Sequence, residues 1–452
     1  MNPENHPAPD GATALPGAPI ARWAVLRVRN FRLLWLGQLV SMLGDQVHLI
    51  AMPWLVLQLT GSPLALGTVL ALGGIPRALL MLIGGALTDR FSPRAILLAS
   101  ALLRLALTAL LAALVWGVAI ELWNLYAIAL VFGVVDAFSF PAGAAMMPEI
   151  LAPEQLQAGN ALNQGSFQLT QLVGPALAGL LIALLGGSAT GPDGEMAPGL
   201  AGIAAAFAFD SLTFLISAAT LWRIRMPERP RIAPGEQQNV WAAIRAGIVY
   251  VWRDPTLRGI FTVVAAINFL FAGPLVVGAP VLADTRFAEG AAGYGMVIAA
   301  LGGGSLAGTL LAGLLPPPSP RRLGPLLLGL AALLGVGLAT IGFLWSTWAA
   351  AAVTLLMGAA NGYVGILYLT WLQKAAPAAM MGRVMSLQMF ASVGLVPVSM
   401  ALAGALIQVS ITGFLASAGL LLAATLLAAL ANPAIRDMGL RPAAGVEAMP
   451  AP

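Results

Sequence analysis

From residue 31 to residue 431 the chain is a succession of apolar runs, near 31–59, 64–88, 95–117, 121–141, 160–186, 200–222, 257–282, 291–315, 322–345, 347–371, 383–408 and 410–431. At ~1.5 Å per residue in a helix, runs of this length match a hydrocarbon layer ~30 Å thick. Lipid offers no water to a backbone, so such runs persist only as helices that satisfy their own N–H and C=O groups. Twelve of them predict an all-α polytopic membrane protein. The 59% hydrophobic and 9% charged composition agrees, since a soluble globule carries about 25% charged residues.

The basic residues sort these runs by side. Arg22, Arg27, Arg29 and Arg32 precede the first run, Arg90 and Arg94 follow the second, and Arg223, Arg225, Arg229, Arg231, Arg245, Arg253 and Arg258 follow the sixth. Arg321, Arg322, Lys374, Arg383, Arg436 and Arg441 continue the alternation, and the opposite loops hold almost nothing basic except Arg286. Positive charge collects in cytoplasmic loops, so both termini are expected inside, in a cell or inner membrane. The expected organisation is a disordered tail over 1–28, a six-helix bundle over 29–222, a cytoplasmic linker over 223–256, a second six-helix bundle over 257–431 and a disordered tail over 432–452. Residues 240–253 place Trp241, Ile244, Ile248 and Val251 at helical spacing, as in an amphipathic helix lying on the inner surface.

Several function classes drop out. Without cysteine there is no thiol catalysis or Cys-based metal site, and His6 and His48 are too few for a histidine metal cluster. No Ser-His-Asp set or acidic metal cluster occurs in a loop, so the chain is not expected to be an enzyme or to need a cofactor. The sequence pI of 9.9 reflects arginines spread between apolar runs, which topology explains better than nucleic-acid binding.

Between the second and third runs stands Gly84-Gly85-Ala86-Leu87-Thr88-Asp89-Arg90-Phe91-Ser92-Pro93-Arg94. Its glycines permit close helix approach, and Pro93 can occupy a first helical turn where no N–H is needed. Gly85, Asp89, Arg90 and Arg94 resemble the loop motif of the major facilitator superfamily, although Ser92 and Pro93 stand where that family usually has glycine and arginine. Gly174-Pro175-Ala176-Leu177-Ala178-Gly179 resembles the glycine-proline motif of antiporters in the same superfamily. Asn30-Phe31-Arg32-Leu33-Leu34-Trp35, Leu43-Gly44-Asp45, Phe140-Pro141-Ala142 and Trp252-Arg253-Asp254-Pro255 are similar to the macrolide-efflux and enterobactin-exporter-like branch. The resemblance implies two pseudo-symmetric bundles working by alternating access, commonly as a drug–proton antiporter. It also implies a gate in which Asp89 pairs with Arg383 at the inner mouth; both residues fit solvated end positions as well. An internal repeat accords with two related halves: Leu162 and Gly179 are matched by Leu387 and Gly404, an offset of about 225 residues.

Charges at membrane depth are expensive and therefore informative. Asp45, Arg77, Arg104 and Asp210 lie about 10 to 14 residues from the arginine-bearing ends of their runs, a depth of ~15–21 Å. Asp136 falls nearer the surface unless the fourth run continues past Pro141. Three carboxylates against two guanidiniums leave one carboxylate without an arginine, a natural proton carrier. The expected pairing joins Arg104 to Asp210 and brings Arg77 to Asp45 or Asp136, leaving Asp45 and Asp136 as proton-coupling candidates with His48 assisting from the same helical face. Plain packing pairs remain the alternative.

Candidates for a substrate cavity are Gln168 and Gln171 opposite Asn268, Asn361, Tyr363, Tyr368, Trp371 and Gln388. Such a lining suits an amphipathic solute better than a sugar or phosphate. The expected function is proton-coupled efflux of an amphipathic small molecule, multidrug or siderophore-like, by a monomer in the bilayer. The alternatives are lipid or lysolipid translocation without proton coupling and, in another class, a non-transporting receptor or a membrane-embedded enzyme, against which the missing catalytic sets count.

Overall fold

The computed structural model describes residues 24–88, 92–186, 189–190, 196–197, 200–225, 249–375, 384, 387–388, 391–392 and 394–440, with the backbone alone for 82–88, 189–190 and 196–197. Its helices are α1 (Arg29–Thr60), α2 (Pro63–Thr88), α3 (Pro93–Trp116), α4 (Leu122–Ile150), α5 (Leu156–Leu185), α6 (Leu200–Arg223), α7 (Pro255–Arg286), α8 (Ala291–Leu314), α9 (Pro320–Ile341), α10 (Thr347–Ala375), α11 (Val396–Ile407) and α12 (Ile411–Ala429). Among the described residues eleven helices are long and apolar enough to cross a membrane, and α11 is a shorter apolar helix. One small departure from an all-helical chain is a ladder pairing Ala189 with Ala197 and Thr190 with Met196.

Breaks fall where apolar periodicity is interrupted by turn residues. Gly61 ends α1 in the left-handed region at φ 58°, a conformation glycine adopts without a Cβ penalty. The main boundary correction is α4, which runs through Pro141 and Pro148 to Ile150 instead of stopping at 141. Membrane helices tolerate proline because neighbouring groups satisfy the freed carbonyl. A π-helical turn at Asn268–Ala272 interrupts α7, and Asn268 Nδ2 closes back onto the Val264 carbonyl at 2.9 Å.

Within the first half α1 packs on α5 and α6, α3 on α4 and α6, and α2 on α4; within the second, α8 packs on α10, and α9 on α10 and α12. Two seams join the halves, α5 against α8 and α2 against α11. Both are glycine contacts. A Cβ on Gly295 would come within 3.0 Å of the Gly179 Cα, and one on Gly67 within 2.9 Å of the Gly404 Cα. The repeated glycines at 179 and 404 thus occupy equivalent places, which explains their spacing better than helix propensity does.

The two ends of the molecule differ. At the arginine-rich end Asn30 Nδ2 donates to the Arg225 carbonyl at 2.9 Å, while Arg94 Nε and Nη2 donate to the Leu221 and Trp222 carbonyls at 2.9 and 2.7 Å. At the opposite end side chains bind the halves together. Gln58 Nε2 donates to Asp284 Oδ1 at 2.9 Å, Gln408 Nε2 to Ser62 Oγ at 3.0 Å, and Trp54 lies against Gly290.

Candidate functional site

A cavity of about 440 Å³ lies inside the first half, walled by α1, α3, α4 and α6 with contributions from α2 and α5. Its wall is largely apolar, with Met42, Phe140 and Phe214 among the lining residues. Gln38, Ser41, Asn160 and Asn163 add neutral polar groups, and Asp45, Arg77, Arg104 and Asp136 meet at its base.

These four charges form one chain. Arg104 Nη2 on α3 donates to Asp136 Oδ1 on α4, and its Nη1 lies 3.6 Å from Asp45 Oδ1 on α1. From α2, Arg77 Nη1 reaches within 3.9 Å of Asp136 Oδ2. Phe132 and Phe214 flank the Arg104 guanidinium, whose carbon is 5.9 and 5.5 Å from their ring centroids. This supplies cation–π attraction where water is scarce. The extension of α4 past Pro141 is what brings Asp136 to this depth.

The carboxylates are held unequally. Asp136 faces both arginines with its side chain 26% exposed, whereas Asp45 has one longer ion pair and is 46% exposed to the cavity. The expected Arg104–Asp210 pair is not formed. Arg104 points the other way because Asp45 and Asp136 flank it on adjacent helices, while Asp210, fully buried on α6, meets His48 Nδ1 at 3.1 Å instead. The approach of Arg77 to Asp136 agrees with the sequence reading.

None of the cavity candidates Gln168, Gln171, Asn268, Asn361, Tyr363, Tyr368, Trp371 and Gln388 lines this cavity, and Tyr363 lines a separate apolar cavity between α8, α9 and α10. Gln168 bridges the α5–α8 seam to Thr309 Oγ1 at 3.3 Å. Tyr368 donates to Gln388, which donates on to Ser392 at 3.1 Å. Trp371 Nε1 donates to the Met438 carbonyl at 3.1 Å, a structural tie to the segment after α12. Among the polar residues that line the cavity without having been expected, Asn160 and Asn163 come from α5, while Gln38 and Ser41 belong to a polar stripe with Asp45 and His48 at helical spacing along α1.

Gly174 lies against the Gln46 side chain of α1 and Gly179 against Ala291 and Ala292 of α8, so the Gly174-Pro175 element sits where α5 touches both halves. Of the expected gate, Arg94 is tied to α6 as above, and Gly85 is in the last turns of α2. Asp89, Arg90 and Arg383 lie outside the described residues, as does most of the amphipathic stretch 240–253.

The sequence and fold have known counterparts. Residues 34–398 match the model of the Major Facilitator Superfamily. The chain is 29% identical over 371 residues to the multidrug efflux pump Tap of Mycolicibacterium fortuitum, covering 80% of this chain and 85% of that one. It is 27% identical over 361 residues to the enterobactin exporter EntS of Shigella flexneri, covering 78% and 79%. Among solved structures, a bacterial homologue of the iron transporter ferroportin in an inward-facing state superposes with a TM-score of 0.65 at 17% identity, over 90% of this chain and 99% of that one. The twelve-run pattern, the glycine seams and the match over most of the length agree: this chain is a membrane transporter belonging to the Major Facilitator Superfamily.

Proposed function

We propose that the chain exports an amphipathic small molecule in exchange for protons, with Asp45 as the group that gives up and regains the proton. The observation that supports this is the unequal holding of the two cavity carboxylates. Asp136 is fixed between Arg77 and Arg104, so its charge is compensated in every step; Asp45 has a single longer partner and faces the cavity. Protonating Asp45 releases Arg104 to Asp136, and deprotonating it recruits Arg104 back. Both states keep the guanidinium paired, which lets one proton shift the helices of the first half with little penalty for a bare charge.

The substrate reading draws on the mixed wall of the cavity and on the relatives, which are named as multidrug and enterobactin exporters. Positive-inside charge would put the arginine-rich end and both termini in the cytoplasm of an inner-membrane protein, so that the opposite, sealed end faces outward. In the state open outward, Asp89 would pair with Arg383 to shut the inner mouth.

Inverted membrane vesicles test this, with a panel of amphipathic dyes and drugs and an imposed pH gradient. For a transported compound, Asp45→Asn is expected to lower gradient-driven flux about a hundredfold. Unchanged flux removes Asp45 as the carrier, and transport indifferent to collapse of the pH gradient replaces the proposal with uncoupled lipid-type translocation. Asp89→Asn should slow turnover more than it weakens substrate binding; unaltered turnover removes the gate.

A further inference from the structure

One turn beyond Asp45, toward the sealed end, α1 carries His48, and neither His48 nor its partner Asp210 lines the cavity. Asp210 is 0% exposed, and its Oδ1 has no hydrogen-bond partner among the described residues. Gly44 makes room for it: a Cβ there would lie 2.5 Å from that oxygen. The His48 ring stacks on Phe132 with centroids 4.8 Å apart and meets Phe207 edge-on at 5.5 Å. A carboxylate so enclosed, one oxygen unsatisfied, is costly unless a proton is held between it and its single partner.

Charge counting leads to the same place. Asp45, Asp136 and Asp210 against Arg77 and Arg104 leave this interior one negative charge in excess, and one added proton makes it neutral. Two places could hold that proton, Asp45 at the cavity wall or His48–Asp210 behind it. The other titratable groups on the helices around the pair include Tyr126 and Glu149 of α4 and Arg223 of α6, each at least six residues along its helix from the residues that touch the pair. Arg77, Arg104 and Asp136, from α2, α3 and α4, form the cavity chain, and α5 carries none. From α8, Tyr294 donates its hydroxyl to the Leu49 carbonyl at 3.4 Å, and Asp284 and Arg286 of α7 stand at the sealed end.

We propose that His48 and Asp210 form a second proton-holding site that exchanges the neutralising proton with Asp45, a step that rests on the coupling role given to Asp45 above. In the transfer the O–H bond of protonated Asp45 breaks and an N–H bond forms on the His48 ring. Asp45 becomes a carboxylate beside Arg104, and the imidazolium faces the Asp210 carboxylate. The total charge of the interior is unchanged. Because His48 lies between Asp45 and the sealed end, a proton admitted there meets the histidine first.

His48 can be observed directly, since His6→Gln leaves it the single histidine in the full chain. In nanodiscs its imidazole ¹⁵N resonances report which ring nitrogens carry a proton as the pH is changed, and that response is expected to differ once Asp45→Asn is added. A ring that keeps one protonation state throughout, or that responds identically with and without Asp45→Asn, overturns the proposal. Asp210→Asn should abolish or displace the response; if that variant fails to fold, the Asp45→Asn comparison, which leaves the pair intact, still decides. Loss of gradient-driven flux in Asp45→Asn with an unresponsive His48 would sink this inference alone. A responsive, Asp45-dependent His48 with flux indifferent to Asp45→Asn would sink the coupling reading and leave the proton-holding pair.

Discussion

Gln58 Nε2 on α1 donates to Asp284 Oδ1 on α7 across 2.9 Å, fastening the first half of the chain to the second at the end away from the arginines. An exposed hydrogen bond to a charged group contributes about 1.5 kcal/mol. Its loss in Gln58→Ala should therefore raise the population opened at that end about tenfold relative to the sealed one. Spin labels on Leu64→Cys and Phe343→Cys, both exposed and in different halves, can report this in a chain with no native cysteine. A new long-distance component is expected; an unaltered distance distribution would show that the bond does not hold the seam.

The seam glycines make a sharper prediction. A Cβ on Gly67 would sit 2.6 Å from the Met400 carbonyl oxygen and 2.9 Å from the Gly404 Cα, both backbone atoms that cannot rotate away. Gly67→Ala should part α2 from α11 and lower transport at least tenfold. Gly165 on α5 and Gly313 on α8 have open space where a Cβ would go. There alanine removes only glycine's helix penalty, about 0.8–1.0 kcal/mol, so both variants should melt no lower than the parent. A lowered melting temperature in Gly165→Ala would contradict the open α5 face.

How much of this was legible follows from what each pattern encodes. Hydrophobic period and length locate helices because lipid imposes one solution on each run, and the arginines order their ends. Charges are also visible in a sequence, so Asp45, Arg77, Arg104 and Asp136 could be placed at a shared depth. Their pairing could not, because rotation of α3 decides whether Arg104 turns to α4 or to α6, and no sequence period records it. Pro141 misleads for a related reason: it marks a helix end in water but not in a bundle that satisfies its freed carbonyl. Trp371 shows a further limit. Its indole looks like a cavity wall in sequence, yet its partner is a backbone carbonyl 67 residues away.

That indole gives a test separating structural tie from substrate contact. Trp371 Nε1 donates to the Met438 carbonyl, and Ile435 and Met438 are buried beneath α7 and α9, with Ile435 against Gly259. Trp371→Phe keeps the aromatic packing and removes one hydrogen bond, at about 1 kcal/mol. Expected results are a lower melting temperature and faster proteolysis after Ala431, with substrate affinity unchanged. Weakened affinity without loss of stability would return Trp371 to the binding site.

Arg104 should be the most sensitive position in the first half. It joins Asp45 to Asp136 between Phe132 and Phe214, with its side chain 13% exposed. Arg104→Met leaves Asp136 with only the 3.9 Å contact to Arg77 and Asp45 with no arginine. Breaking a buried pair from one side costs about 3–5 kcal/mol, whereas replacing both partners by apolar groups of similar size is often neutral. The double variant Arg104→Met with Asp136→Leu should therefore recover much of the lost thermal stability while remaining unable to transport, since Asp45 still lacks its counter-charge. Melting curves in detergent, read beside vesicle flux, separate these effects. If Arg104→Met alone is as stable as the parent, the charges at the base of the cavity are solvated independently and do not act as a linked chain.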